Sequence, residues 1–179
     1  MKKNRIDGIR ILHKIDEYPD LSWIGEYTDS KPDECDLKGG SAFYRVNYEY
    51  RGYKYFIPCY SVQERFKDLQ AMGYSKGVAE ELARSYCRKD FERMEGYCKG
   101  DWYMIGIIAK ASICIPYESY DKIETISSGG LFGIESDSGD TYIQDIEKEQ
   151  LSELKDLCIR MNVSIRNWNS IEIKRPESY

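Results

Sequence analysis

The sequence holds one histidine, His13, and no CxxC pair among its six cysteines at positions 35, 59, 87, 98, 114 and 158. A Cys/His zinc site therefore has no supporting pattern. Cys87 and Cys98 fall on one predicted helix, roughly 16 Å apart at ~1.5 Å per residue, which is too far for a disulfide. No apolar run reaches the ~18 residues that a membrane span needs. The start, Met1-Lys2-Lys3-Asn4-Arg5, leads into mixed polar sequence with no apolar signal region. There is no Gly-Lys-Ser/Thr phosphate loop and no GxGxxG fingerprint. These absences set the expectation of a cytoplasmic protein with reduced thiols, no cofactor and no membrane contact.

What is present is tyrosine, 16 copies against five Phe and three Trp. Tyrosine joins an apolar ring to a wet hydroxyl, which serves recognition surfaces and, equally, half-buried strand faces. At 179 residues the chain has the length of one domain or at most two small ones. We expect a single globular domain spanning 1–179. The net charge of −5 is mild but unevenly placed. Residues 1–15 and 41–67 are basic. Residues 16–36 and 135–156 are acidic, the latter with eight acids against Lys148 and Lys155. Acidic blocks disfavour direct nucleic-acid binding and suit a basic protein partner, although solvated acidic faces are common in their own right.

The periodicities predict an α+β fold with a mainly antiparallel sheet. Ile9, Ile11 and Leu12 make a short strand, and residues 28–40 form a polar loop. Alternation at Tyr44, Val46, Tyr48 and Tyr50, then at Tyr53, Tyr55, Ile57 and Cys59, predicts a β-hairpin with its turn at Arg51-Gly52. Ser61 caps a short helix that ends at Gly73. A second helix starts at Ser75 and runs to Cys98, with Val78, Ala79, Leu82, Ala83, Tyr86, Cys87, Phe91 and Met94 as its apolar stripe. Trp102–Ile115 is apolar on both faces along its middle, as a central strand is. Lys122–Ile126 is a shorter strand. A last helix over 140–161 has Ile143, Ile146, Gln150, Leu151, Leu154, Leu157 and Met161 as its buried stripe, and Asn162 suits a left-handed end. The helices are expected to pack on one sheet face.

The richest candidate site is the stretch Gly129-Gly130-Leu131-Phe132-Gly133-Ile134-Glu135-Ser136-Asp137-Ser138-Gly139-Asp140, expected as a turn from a buried strand into the last helix. Glycines let backbone approach a ligand, and a helix start presents free N–H donors. Gly129, Gly130, Glu135, Asp137 and Asp140 are thus candidate ligand- or metal-binding residues, the acids through oxygen. The plainer alternative is that Asp137, Ser138 or Asp140 caps the helix. Glu135 or Asp137 with Asp101, Glu92 or Glu95 would make an acid pair, but nothing in their spacing selects one, and no catalytic residue is assigned. Asp145, Glu149, Glu153 and Asp156 fall off the last helix's apolar stripe and are the candidate partner-binding acids.

Two stretches carry a resemblance. They are Arg93-Met94-Glu95-Gly96-Tyr97-Cys98-Lys99-Gly100-Asp101-Trp102-Tyr103-Met104-Ile105-Gly106 and Ser128-Gly129-Gly130-Leu131-Phe132-Gly133-Ile134-Glu135-Ser136-Asp137-Ser138. With Pro19-Asp20-Leu21-Ser22-Trp23-Ile24-Gly25-Glu26-Tyr27, they resemble a family of small phage and prophage proteins without an established activity. The resemblance implies a mobile-element context and assigns no site residues. Two function classes follow. One is an accessory protein that inhibits a host defence system by binding a basic protein partner, of the anti-CRISPR or antirestriction type. The other is an enzyme or nucleotide- or metal-binding protein using residues 128–140.

Overall fold

The computed structural model describes residues 4–45 and 52–176. In chain order the strands are β1 Arg5–Ile15, β2 Gly25–Thr28, β3 Phe43–Tyr44, β4 Tyr55–Pro58, β5 Met104–Pro116, β6 Asp121–Ser127, β7 Leu131–Glu135 and β8 Ile173–Lys174. The helices are α1 Glu34–Gly39, α2 Val62–Ala71, α3 Lys76–Lys99 and α4 Asp140–Arg160. The fold is α+β, and among the described residues its strand pairing is antiparallel except where β8 joins β1 and at an isolated parallel bridge between Arg5 and Ser164. The chain divides into two compact units, residues 20–102 and residues 1–19 with 103–179.

In the discontinuous unit, β5 is the central strand of a five-stranded sheet. One edge of β5 pairs with β1, from Arg5↔Cys114 to Ile15↔Ile105. The other edge is shared, with β7 along Met104–Ile107 and β6 along Lys110–Pro116. Ile9, Ile11, Ile105, Ile107, Ala109, Ala111 and Ile113 alternate onto one face and pack against Ile146, Leu154 and Cys158 of α4. Ile146, Gln150 and Leu154 are buried as expected, while Leu157 is only half-buried and Met161, the C-cap just past the last turn, is exposed. The α4 helix ends at Asn162, whose φ of 56° is the left-handed conformation that asparagine tolerates.

In the continuous unit, a three-stranded antiparallel sheet has the order β2-β4-β3. The pairs Phe43↔Phe56 and Tyr44↔Tyr55 join the two arms of the expected hairpin. Its residues Val46, Tyr48, Tyr50 and Arg51 lie outside the described residues. Ser61 caps α2 through a reciprocal pair of bonds with Glu64, the Ser/Glu spacing that favours a helix start. The buried face of α3 is narrower than its apolar stripe. Ala79, Ala83, Cys87 and Met94 are buried, Leu82 is half-buried, and Val78 and Tyr86 are exposed. Small residues on this face let α2 approach closely at Leu69, which leaves the larger flanking side chains outside. The segment 28–40 is not all loop, since α1 occupies part of it.

The expectation of helices on one sheet face meets a divided sheet. α4 packs on the five-stranded sheet, and α3 packs beside the three-stranded one. Periodicity shows which residues alternate, and nothing in it says which strands share a ladder.

Candidate functional site

The glycine-rich stretch is built into the sheet. β6 and β7 run in the same direction along one edge of β5, so together they form a single edge strand broken at Ser128-Gly129-Gly130. At the break Ser128 donates its N–H to the Ala109 carbonyl, and its hydroxyl accepts the Ala109 N–H at 3.0 Å. The next two amides leave the ladder. Gly129 N–H donates to Glu153 Oε1 at 3.0 Å, and Gly130 N–H donates to Gln150 Oε1 at 3.1 Å. Both acceptors belong to α4. Gly130 has φ +80°, and a Cβ there would stand 2.8 Å from Ile108 Cγ1, so a side chain has no room.

This corrects the expected turn from strand into helix. Leu131–Glu135 is itself a strand, and the turn that opens α4 is confined to residues 136–139. The register slips by one residue between Ile105↔Ile134 and Ile107↔Leu131, and Gly133 takes the positive φ of 76° within this bulge. The capping expectation is corrected as well. Gly139 is the N-cap of α4, and Asp140 is its first helical residue. Asp140 acts through charge, as an acid in the first turn.

The candidate ligand residues are thus spread out. Glu135 pairs with Met104 at the end of β7. Asp137 sits in the following turn, and Asp140 lines a cleft of about 390 Å³ with Ile143, Gln144, Glu147, Lys148 and Arg175. Among the described residues, no three His, Cys, Asp or Glu side chains gather as metal ligands would. Glu92, Glu95 and Asp101 belong to the continuous unit, while Glu135 and Asp137 belong to the other.

Of the four candidate partner acids, Asp145, Glu149 and Asp156 are exposed, and Asp145 also meets Lys148 Nζ at 2.8 Å. At 100° per residue they occupy a narrow strip of α4 turned away from the core. Tyr142 and Ile159, each about half exposed, extend the strip at its two ends. Glu153 lies at its margin, half-buried, and is held by the Gly129 amide. Two sites that look separate in the sequence therefore meet through one hydrogen bond.

Two buried polar networks went unforeseen. Glu147 sits within the buried arc of α4. Its Oε1 is 3.0 Å from His13 Nε2, and its Oε2 accepts from Arg175 Nε at 2.8 Å. The signal was available, since Glu147 lies four residues from both Ile143 and Leu151, inside the apolar stripe. In the continuous unit, the wholly buried Arg45 pairs with Glu95 and donates from Nη1 to the Tyr53 carbonyl at 3.0 Å. Its guanidinium lies 4.0 Å from the centre of the Tyr27 ring. The Tyr27 hydroxyl donates to Glu95 Oε1 at 2.9 Å and lies 3.2 Å from Cys98 Sγ. Burial first, then the hydrogen bonds with Cys98 and Glu95, push the Tyr27 phenol far above its ordinary value. Both carboxylates are engaged by partners from distant parts of the chain, as structural anchors are.

Compared with protein-family models, curated proteins and solved structures, the chain matches none.

Proposed function

We propose that this protein is an accessory protein of a phage or other mobile element that inhibits a host defence system, of the anti-CRISPR or antirestriction type, by binding a basic protein surface. The observation that carries this reading is the exposed strip of α4, on which Asp145, Glu149 and Asp156 line up between Tyr142 and Ile159. Acids steer and orient a basic partner, while a tyrosine and an aliphatic residue supply area that can be desolvated. The wider surface agrees, because Tyr18, Tyr44, Tyr53, Tyr60, Tyr74, Tyr117 and Tyr120 are also exposed. The ligand-binding alternative is less well supported, because the Gly129 and Gly130 amides that would receive a phosphate are taken by Glu153 and Gln150.

The test is the triple reversal of Asp145, Glu149 and Asp156 to lysine. The variant should keep its circular dichroism spectrum and lose both capture of a host protein and protection of a phage in a plating assay. Full protection by the folded variant would remove the acidic face from the proposal.

A further inference from the structure

The opposite face of the five-stranded sheet carries a row of cations that the sequence scatters over the whole chain. Register pairs Lys174 with Arg10 across β8 and β1, and Arg10 with Lys110 across β1 and β5. Residues directly opposite in a sheet point to the same face. Three cations therefore stand side by side over roughly 10 Å, at ~4.8 Å between strands. Lys14 lies on the same face of β1, about 13 Å further along at ~3.3 Å per residue. Arg10, Lys14 and Lys174 are exposed and Lys110 is half-buried. None of the four takes part in a salt bridge or side-chain hydrogen bond among the described residues. Like charges set opposite one another destabilise a sheet, so the row has a cost that no close ion pair offsets among the described residues. Glu172 and Asp7 border the cleft of about 580 Å³ beside Arg10 and Lys174, and so bound the row at that end. At the other end Asp16 accepts the Tyr18 amide.

Beside the cations is a stacking surface. Lys14 pairs with Gly106, and the Phe132 ring lies against Gly106 so closely that a Cβ there would be 2.3 Å from the ring. Phe132 remains 47% exposed. The face therefore offers a row of cations and an open aromatic ring next to one of them. We infer that this sheet face binds single-stranded nucleic acid, with backbone phosphates on Lys174, Arg10, Lys110 and Lys14 and a base on Phe132. An acidic polypeptide would match the charge but has no planar group to stack on the ring, which is why nucleic acid is favoured. The inference concerns the face opposite the α4 acids and does not rest on their role.

The experiment is fluorescence anisotropy of the full chain with labelled oligothymidylate of about 20 nucleotides, longer than the ~4–16 that one module covers. Polyglutamate and duplex DNA serve as competitors. Contact with three or four phosphates predicts a log K against log salt slope of about −2 to −3. Arg10→Ala/Lys110→Ala/Lys174→Ala should weaken binding at least tenfold and leave the thermal midpoint equal or higher, since like-charge repulsion is relieved. Phe132→Ala should weaken binding about tenfold with the salt slope unchanged. Arg10→Gln/Lys174→Gln, which keeps the half-buried Lys110 stem, serves if the triple variant does not fold, and should lower the slope by about 1.4. No binding at low salt overturns the inference, as does binding indifferent to these variants. Equal competition by polyglutamate together with indifference to Phe132→Ala would assign the face to an acidic protein.

Discussion

Glu147 shows how a single side chain ties distant parts of the chain together. One carboxylate joins His13 on β1 to Arg175, next to β8. Glu147→Ala removes one acceptor from the half-buried His13 and one from the exposed Arg175, and should cost about 1–3 kcal/mol in urea unfolding. The thiols differ by their surroundings. Cys114 is buried and donates to Asp121 Oδ2 at 3.1 Å, and that bond raises its pKa, whereas Cys35 and Cys59 are exposed. Mass spectrometry after brief alkylation should find Cys35 and Cys59 modified and Cys114 intact, and fast native labelling of Cys114 would contradict its burial. For Tyr27 the folded-state pKa lies above the unfolded one, so its contribution is complete below pH ~10 and is lost as pH rises beyond it. Replacing Tyr27 with Phe should make the alkaline fall in melting temperature shallower. The histidine and arginine partners were not legible beforehand, because a buried polar contact joins residues that no local pattern relates.

The broken edge strand explains the glycine-rich motif at the level of elements. Its amides turn to α4 where a continuous strand would turn them to β5. Glu153→Lys should therefore lower stability by about 1–2 kcal/mol, while the same change at Glu149 stays within about 0.5 kcal/mol. Equal effects in thermal melts would show that the Gly129 bond contributes nothing. Gly106→Ala collides with the Phe132 ring and should cost about 1–3 kcal/mol by overpacking. Elements with a strong period were legible: α3, α4 and the central β5 emerged close to their expected limits. Strand β7 was not, because two of its five residues are Gly133 and Phe132 at a bulge, and a bulge erases the alternation by which strands are recognised. The same gap hid the role of Gly129 and Gly130, whose partners lie 24 and 20 positions ahead.

Across the whole molecule, hydrogen exchange should be slowest at Ile105–Ile113, which are bonded on both edges and lie within the core of their unit. Faster exchange there than along α2 would place the most stable structure elsewhere. The pairing of β1 with β5 has a further consequence. Ile15 sits opposite Ile105, and the Asp16 amide donates to the Met104 carbonyl at 2.8 Å, so the two strands meet as closely as the arms of a hairpin. Between them in the chain lies the entire continuous unit, residues 20–102. On the ribosome β1 therefore emerges well before β5 and completes its ladder late. It must wait, without its β5 partner and apolar on one side, while the intervening segment is made. Synthesis order, more than final stability, makes this first strand the point at which a nascent chain is exposed to misassociation.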